Sequence, residues 1–173
     1  MVRSILIAND DGIEAPGLTT LVAALQRVAD LDIYVVAPDQ EKSAFSHCIT
    51  IREVLKAEVR KVEGAKAAFA VAGTPADCTS LAIGGLFRNV KFDCVISGIN
   101  RGDNVGRHII YSGTVAGARE AALWGLLGIA ASLDCSTKYI KADYEPAANL
   151  ITDFVETLLD QPKLLAALRG RVV

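Results

Sequence analysis

The distribution of apolar and polar positions predicts alternating strands and helices. Residues 4–8 form a short apolar run that ends in the turn sequence of residues 9–12, as expected of a buried strand. Apolar residues then recur at helical spacing between positions 18 and 29, after Pro16, which suits a first helical turn. A second apolar run follows at residues 33–37. Because neither run alternates with polar residues, we expect parallel strands that helices cover on both faces.

The rest of the chain adds three predicted strands and two less regular segments. Residues 49–64 mix charged and apolar side chains, which predicts an extended, exposed segment. A long polar loop is predicted at residues 98–111. Residues 170–173 are typical of a strand that begins after a helix. The further strands are predicted at residues 69–72, 92–97 and 128–132.

Three further helices are predicted from capping residues and from apolar spacing. Thr74 is a candidate N-cap, and Asp77 stands three residues later in capping-box register. Ser112 is a candidate cap for a helix of small residues at 115–124. Residues 144–159 carry apolar side chains on one side at helical spacing. Together, these elements predict an α/β fold with a mostly parallel sheet between two helical layers.

Length and composition exclude several classes of protein. A chain of 173 residues predicts one domain. The hydrophobic content of 51% can fill a core that buries about 70% of the unfolded surface, so extensive disorder is excluded. The net charge of −2 provides no chain-wide positive field, which argues against binding to nucleic-acid polymers.

The location of the protein is predicted from its apolar runs and its cysteines. The most hydrophobic stretch, residues 121–131, is shorter than the roughly 20 residues that cross a bilayer, so we expect no membrane span. The N-terminal sequence does not resemble a signal peptide, which favours a cytoplasmic protein. The four cysteines are widely spaced and form no CxxC pair. They predict reduced, buried thiols rather than a zinc site or a disulfide scaffold.

Four polar loops follow predicted strands, and each is a candidate for ligand binding. In a parallel α/β sheet, the loops after the strands emerge at one edge, where ligands bind. We therefore expect these four loops to converge on one rim. The loops cover residues 9–15, 38–47, 73–77 and 98–114.

The first of these loops carries two adjacent carboxylates, Asp10 and Asp11. Their mutual repulsion would be relieved by a divalent cation, which prefers hard oxygen ligands. A solvated turn is the alternative, because Asp-Gly also marks hairpins. Ser43 and Asn100 lie on two other loops and could supply neutral oxygens to the same ion, although ordinary loop hydrogen bonds would equally explain them.

The residues from Ser112 to Thr114 form a candidate anion site at a helix start. Two hydroxyl groups stand beside backbone N–H groups, and the helix dipole favours negative charge there. Simple N-capping is the alternative that needs no ligand. His47 and His108 also lie in the predicted rim loops, either as proton donors to a leaving group or as polar surface residues.

Six short motifs occur in order along the chain. They are IANDDG with APG at residues 7–17, VAPD with KSA at residues 36–44, GTPADC at 73–78, SGINRG at 97–102, NVG at 104–106 and YSGTVA at 111–116. Together they resemble the survival protein SurE family, whose members are metal-dependent phosphatases that act on nucleoside monophosphates. The likeness extends from about residue 4 to residue 133.

The resemblance implies a Rossmann-like fold and a set of site residues. One divalent metal ion, Mg²⁺ or Mn²⁺, would be held by Asp10, Asp11, Ser43 and Asn100. The substrate, a nucleoside monophosphate or other phosphate monoester, would bind through its phosphate. The implied phosphate contacts are Ser112, Gly113 and Thr114, with Asn9 and Gly98 nearby. Full-length members form homodimers or homotetramers.

The sequence departs from the family pattern in two places. Arg107 and His108 follow Gly106 where many bacterial relatives carry small or acidic residues, which is more similar to the plant-type branch. Relatives also continue for many tens of residues beyond position 173. We therefore expect residues 1–173 to be a single domain that stops before a C-terminal extension.

The leading functional hypothesis is hydrolysis of a phosphate monoester by metal-assisted attack on phosphorus. Either water or Asp10 could be the nucleophile, and Arg101 or Arg107 could add a positive contact. We expect Asp10→Ala to abolish turnover and to leave the fold intact. The alternatives are a nucleotide-binding or phosphate-binding module without turnover and an oligomerisation partner of a longer relative.

Overall fold

The computed structural model describes residues 3–135 and 143–173. The described residues contain a six-stranded sheet in which all strands run parallel except β3, which pairs antiparallel with β4. The strands are β1 (Arg3–Ala8), β2 (Leu31–Pro38), β3 (Ala57–Arg60), β4 (Ala67–Val71), β5 (Cys94–Arg101) and β6 (Leu127–Leu133). Their order across the sheet is β3-β4-β2-β1-β5-β6.

Helices cover both faces of this sheet. The helices are α1 (Pro16–Leu25), α2 (Pro75–Leu81), α3 (His108–Tyr111), α4 (Gly113–Leu123), α5 (Glu145–Asp160) and α6 (Pro162–Leu168), and a π-helical turn at Ala82–Leu86 extends α2. Helices α1, α5 and α6 contribute to the core on one face. Helices α2 and α4 contribute to the core on the other. The predicted three-layer α/β/α fold with a mostly parallel sheet is confirmed.

The central strand β1 shows why its sequence has no polar alternation. Ile5 and Ile7 face the core under α1 and α5, whereas Leu6 faces the core under α2 and α4. All three side chains are fully buried. A strand that is covered on both faces needs apolar residues at every position.

Several predicted boundaries differ from the observed ones. Strand β5 continues into the predicted polar loop because Asn100 and Arg101 pair with Ser132 and Leu133 of β6, after an irregularity in the register. The same predicted loop contains the short helix α3. Helix α1 ends at Leu25 rather than near residue 29.

The extended, exposed segment predicted at residues 49–64 is confirmed in part. Only Ala57–Arg60 forms a strand, and all four of its residues are exposed at the edge of the sheet. The predicted capping box at Thr74 and Asp77 is present. Residues 171–173 hydrogen-bond to β6, and Val172 forms a parallel bridge with Gly128, as the predicted strand start requires.

The cysteines and the helices complete the comparison with the sequence. All four cysteines are free. Cys78 and Cys94 are buried as predicted, but Cys48 is exposed and Cys135 is partly exposed. Within residues 3–135 and 143–173, no helix is both long enough and apolar enough to span a bilayer.

The strand order places a crevice at the centre of one sheet edge. After β1 the chain passes through α1 to β2 on one side, and it later returns to the other side of β1 as β5. The loops that follow β1 and β5 therefore diverge to opposite faces of the sheet. Such a switch point is where open α/β sheets bind ligands.

Candidate active site

The residues after β1 meet the end of β5 in this crevice. The backbone N–H of Arg101 donates a hydrogen bond of 3.3 Å to Oδ2 of Asp11, so the carboxylate lies beside the residue that follows Asn100. The loop after β2 joins them, because the N–H of Lys42 donates to the carbonyl oxygen of Asp10 at 2.7 Å. Three of the four predicted rim loops therefore come together around the two aspartates.

Asp10 connects this site to the start of α4, at the C-terminal end of the predicted loop 98–114. Its Oδ1 accepts a hydrogen bond of 2.6 Å from the Thr114 hydroxyl, and its Oδ2 accepts one of 3.1 Å from the Thr114 N–H. Ser112 caps the same helix, with its Oγ accepting from the N–H of Val115 at 3.1 Å. Asp10 is only 4% exposed. Burial raises the pKa of Asp10, while the hydrogen bonds from Thr114 oppose this rise.

These contacts correct the expectation that Asp10→Ala would leave the fold intact. A buried carboxylate that receives two hydrogen bonds is part of the packing of α4 against β1. Alanine would leave the N–H and the hydroxyl of Thr114 without this acceptor, at a cost of about 1–3 kcal/mol. A test of the charge alone therefore requires Asp10→Asn.

The predicted phosphate contacts all lie at this edge of the sheet. In the structure they hydrogen-bond to or pack against other residues of the protein. Ser112 and Thr114 make the capping contacts described above. Gly113 allows α4 to approach Asp10 closely, because a Cβ at position 113 would stand 2.8 Å from the Cβ of Asp10. Gly98 lies in β5, where a Cβ would stand 2.3 Å from the carbonyl oxygen of Ala131. Simple N-capping of α4 by Ser112 accounts for the observed hydrogen bond of that residue. Phosphate binding by these residues stays a prediction.

Asp11 faces a cleft of about 420 Å³. Burial raises its pKa to about 6, and the neighbouring charge of Asp10 adds to the rise. The hydrogen bond from the Arg101 N–H acts in the opposite direction. The other residues that line the cleft are Ala15, Pro16, Glu41, Ser43, Arg101 and Tyr144.

Two polar residues that line this cleft, Glu41 and Tyr144, are absent from the sequence-based candidates. Glu41 accepts a hydrogen bond of 2.6 Å from the Ser43 hydroxyl. Its position two residues before Ser43, on the same predicted rim loop, was a usable signal. Tyr144 precedes α5 and reaches the cleft from another part of the chain. No local pattern in the sequence indicates that approach.

The side chains at this edge fit a hard divalent cation. Asp10 and Asp11 could supply carboxylate oxygens, and Ser43 and Asn100 could supply neutral oxygens. Asn9 is fully buried, and its Nδ2 donates to the carbonyl oxygen of Gly12 at 2.8 Å. Its Oδ1 has no hydrogen-bond partner among the described residues. Mg²⁺ characteristically binds one or two carboxylates and keeps several waters.

This candidate site differs from the metal sites built mainly from acidic or sulfur ligands. Among the described residues, no group of three or more His, Cys, Asp or Glu side chains could hold a metal ion. The Nδ2 of Asn100 donates to the carbonyl oxygen of Gly102 at 2.9 Å, which directs the amide and leaves its Oδ1 as the acceptor. The combination of two carboxylates with amide and hydroxyl oxygens is the set that the resemblance implies.

Of the two histidines and two arginines in the predicted rim loops, one arginine lines the cleft and the other three residues do not. Arg101 lines the cleft. His108 and Arg107 are exposed at the start of α3, outside the residues that line the cleft, and His108 Nδ1 lies 3.7 Å from an oxygen of Asp103. His47 is hydrogen-bonded to Glu120 rather than directed at the two aspartates.

We expect Asp11→Asn to stabilise the metal-free protein at pH 7.5. Because the pKa of Asp11 is raised from 3.8 to about 6, folding disfavours the charged carboxylate. Two pKa units correspond to ~3 kcal/mol. Screening of this partly exposed group reduces the expected gain to about 1 kcal/mol. Asparagine keeps an oxygen that accepts the Arg101 N–H.

The stability gain expected for Asp11→Asn should depend on pH. The free-energy penalty for the charged Asp11 is absent below its unfolded pKa near 3.8, develops as the pH rises from there to the folded pKa of about 6, and is complete above that value. Urea unfolding with a chelator should therefore show a larger advantage of Asp11→Asn at pH 7.5 than at pH 5. Equal advantages at both pH values would contradict the electrostatic origin.

Comparison with known proteins identifies the family of this chain. The model of the Survival protein SurE family matches residues 5–168. The chain is 43% identical over 155 residues to a 5′-nucleotidase SurE of Petrotoga mobilis, covering 90% of this chain and 60% of the relative. It is 46% identical over 159 residues to a 5′-nucleotidase SurE of Helicobacter pylori, covering 91% of this chain and 59% of the relative.

A solved structure agrees with the sequence comparison. The crystal structure of the SurE protein from Aquifex aeolicus superposes with a TM-score of 0.76 at 36% identity, covering 91% of this chain and 60% of that one. The chain thus spans about three-fifths of the length of the relatives it matches. With a family match over nearly its whole length and a common fold, the chain belongs to the Survival protein SurE family.

Proposed function

We propose that this chain carries the catalytic centre of a phosphatase that hydrolyses nucleoside 5′-monophosphates with the help of one divalent cation, Mg²⁺ or Mn²⁺. The main support is the meeting of Asp10 and Asp11 with the end of β5 at the topological switch point. The relatives named as 5′-nucleotidases supply the substrate class. The cation would be held by Asp10, Asp11, Ser43 and Asn100.

The bound cation would polarise a phosphoryl oxygen and lower the pKa of a water molecule. The chain's own residues supply position and charge. The N-terminus of α4 favours negative charge beside Asp10. Arg101 lines the cleft and provides a positive side chain for the phosphate. Both carboxylate oxygens of Asp10 accept hydrogen bonds from Thr114, which favours water over Asp10 as the nucleophile.

The proposal is tested by release of phosphate from nucleoside 5′-monophosphates. We expect turnover with Mn²⁺ or Mg²⁺, loss of turnover after addition of a chelator, and recovery when the cation is restored. A chelator effect on the protein itself is excluded if thermal unfolding with the chelator shows a folded chain. Turnover that does not respond to the chelator would contradict the metal assignment.

A binding module without turnover is a second candidate, and the openness of the cleft favours it. Glu41, Ser43 and Arg101 are exposed, so this part of the site does not exclude water. Calorimetry that detects nucleotide binding, beside a phosphatase assay without product, would support this candidate. Homodimer or homotetramer formation and a cytoplasmic location are further proposals, the first of which light scattering can test.

A further inference from the structure

The loop that carries Ser43, which we call the Ser43 loop (residues 39–50), is held in place although it contains no helix or strand. The N–H of Lys42 donates to the carbonyl oxygen of Asp10 at 2.7 Å. The N–H of Ser46 donates to the carbonyl oxygen of Tyr111 at 2.9 Å. The loop therefore spans from the aspartates to the segment before α4.

The backbone of this loop is strained between Ser43 and His47. Ala44 and Ser46 have φ angles of 59° and 53°, in the left-handed region that residues with a Cβ rarely adopt. Each such residue costs about 1 kcal/mol, and the conformation persists only where surrounding contacts impose it. The contacts on both sides of the strained residues must therefore supply that constraint.

On the C-terminal side of the strained residues, a partly buried pair supplies a contact. His47 Nε2 lies 2.9 Å from Oε2 of Glu120 in α4, and the two side chains are 19% and 9% exposed. The other oxygen of Glu120 accepts a hydrogen bond of 3.1 Å from Nε1 of Trp124. Both oxygens of Glu120 thus have a partner, as a buried carboxylate requires.

Helix α4 connects this pair to the aspartates. Thr114 in its first turn donates two hydrogen bonds to Asp10, and Glu120 further along the same helix contacts His47. The Ser43 loop is therefore connected to Asp10 in two ways. Lys42 hydrogen-bonds to Asp10 directly, and His47 contacts helix α4, which itself hydrogen-bonds to Asp10. Removal of His47 would take away one of the side-chain contacts on the C-terminal side of the loop, where Cys48 and Thr50 also hydrogen-bond to Thr74 and Asp77. It would also leave a buried carboxylate with one partner fewer.

We propose that His47 is a positioning residue for the candidate cation site. By its contact with Glu120, it holds the strained Ser43 loop in the conformation that presents Ser43 and Glu41 to the cleft. The proposal gives His47 no part in proton transfer. It rests on the proposed function only in taking Ser43 as a ligand of the cation.

Hydrogen exchange tests the positioning without any metal or substrate. In His47→Leu we expect the amides of Lys42 and Ser46 to exchange about tenfold faster. These two amides hydrogen-bond the loop to Asp10 and Tyr111, and those hydrogen bonds should open more often when the loop is less restrained. The amide of Gly102, which follows β5 and donates to the carbonyl oxygen of Leu133 at 2.9 Å, should not change. His47→Gln, which can donate to Glu120 through its amide, should recover much of the protection. Unchanged exchange at Lys42 and Ser46 in His47→Leu would overturn the proposal.

A second measurement tests the consequence for the cation. Calorimetric titration with Mn²⁺ should show about tenfold weaker binding by His47→Leu and partial recovery in His47→Gln. Arg3→Leu is the matched control, because it removes an ion pair with Asp160 at the far end of β1, and it should bind Mn²⁺ as the wild type does.

The two measurements separate this proposal from the proposed function. If the wild type binds neither Mn²⁺ nor Mg²⁺, the proposed function fails, whereas the exchange result still decides whether His47 holds the loop. If exchange accelerates in His47→Leu but its Mn²⁺ affinity equals that of the wild type, the positioning role for the cation site is overturned.

Discussion

Gly17→Ala is expected to destabilise the protein by about 3 kcal/mol or more, because it would separate α1 from β5. A Cβ at this position would stand 2.1 Å from the carbonyl oxygen of Ile99 and 3.1 Å from Cε1 of Tyr144. A backbone carbonyl within a central strand cannot move away as a side chain can. Denaturant unfolding measures the effect directly.

The same substitution should also disturb the cleft. Ala15 and Pro16, immediately before Gly17, form part of its lining. Gly85→Ala is the matched control, because the nearest atom to its added Cβ is Cδ1 of the Leu81 side chain at 3.2 Å. We expect that variant to stay within about 1 kcal/mol of the wild type. Equal stability of Gly17→Ala and the wild type would show that α1 does not approach β5 this closely.

Asp10→Asn is expected to weaken binding of Mn²⁺ and Mg²⁺ at least about 100-fold, and phosphate release should fall with it. The change removes the charge that attracts the cation and keeps the shape of the side chain. The asparagine oxygen can accept from the Thr114 N–H, and its amide can donate to the Thr114 hydroxyl. Calorimetric titration and thermal unfolding with and without the cation measure the two effects separately.

Without the cation, Asp10→Asn should be at least as stable as the wild type, because burial disfavours the charged carboxylate. Addition of Mn²⁺ should raise the unfolding temperature of the wild type and leave that of Asp10→Asn unchanged. Asp160→Asn is a suitable control, since this residue is mostly exposed and pairs with Arg3 away from the site. Wild-type affinity in Asp10→Asn would exclude Asp10 as a ligand.

The predictions from sequence were most accurate where a short segment determines its own structure. The capping box of Thr74 and Asp77 involves residues three positions apart, so the pattern contains all the partners. The same holds for Ser112 as the cap of α4. The polar loop predicted at 98–111 was wrong in part, because the pairing of Asn100 with Ser132 depends on a strand that lies far along the chain.

The candidate site shows the same division. The rim position of Asp10 and Asp11 was predicted from the apolar strand before them, and the structure brings Asp11 to the end of β5. The burial of Asp10 was not predicted, because Thr114 donates to it from more than one hundred residues away. The contact of His47 with Glu120 was likewise not predicted, since neither residue has a local pattern that identifies the other.

The amino-acid sequence by itself determined the α/β class, the positions of the parallel strands and the rim on which acidic and hydroxyl side chains gather. These features depend on hydrophobic periodicity and turn residues, which are properties of neighbouring positions. Only the tertiary structure decided which of those side chains are buried, which hydrogen bonds they receive and which residues line the cleft. Desolvation and hydrogen bonding depend on groups that come together in space after folding, and their partners lie in other parts of the chain.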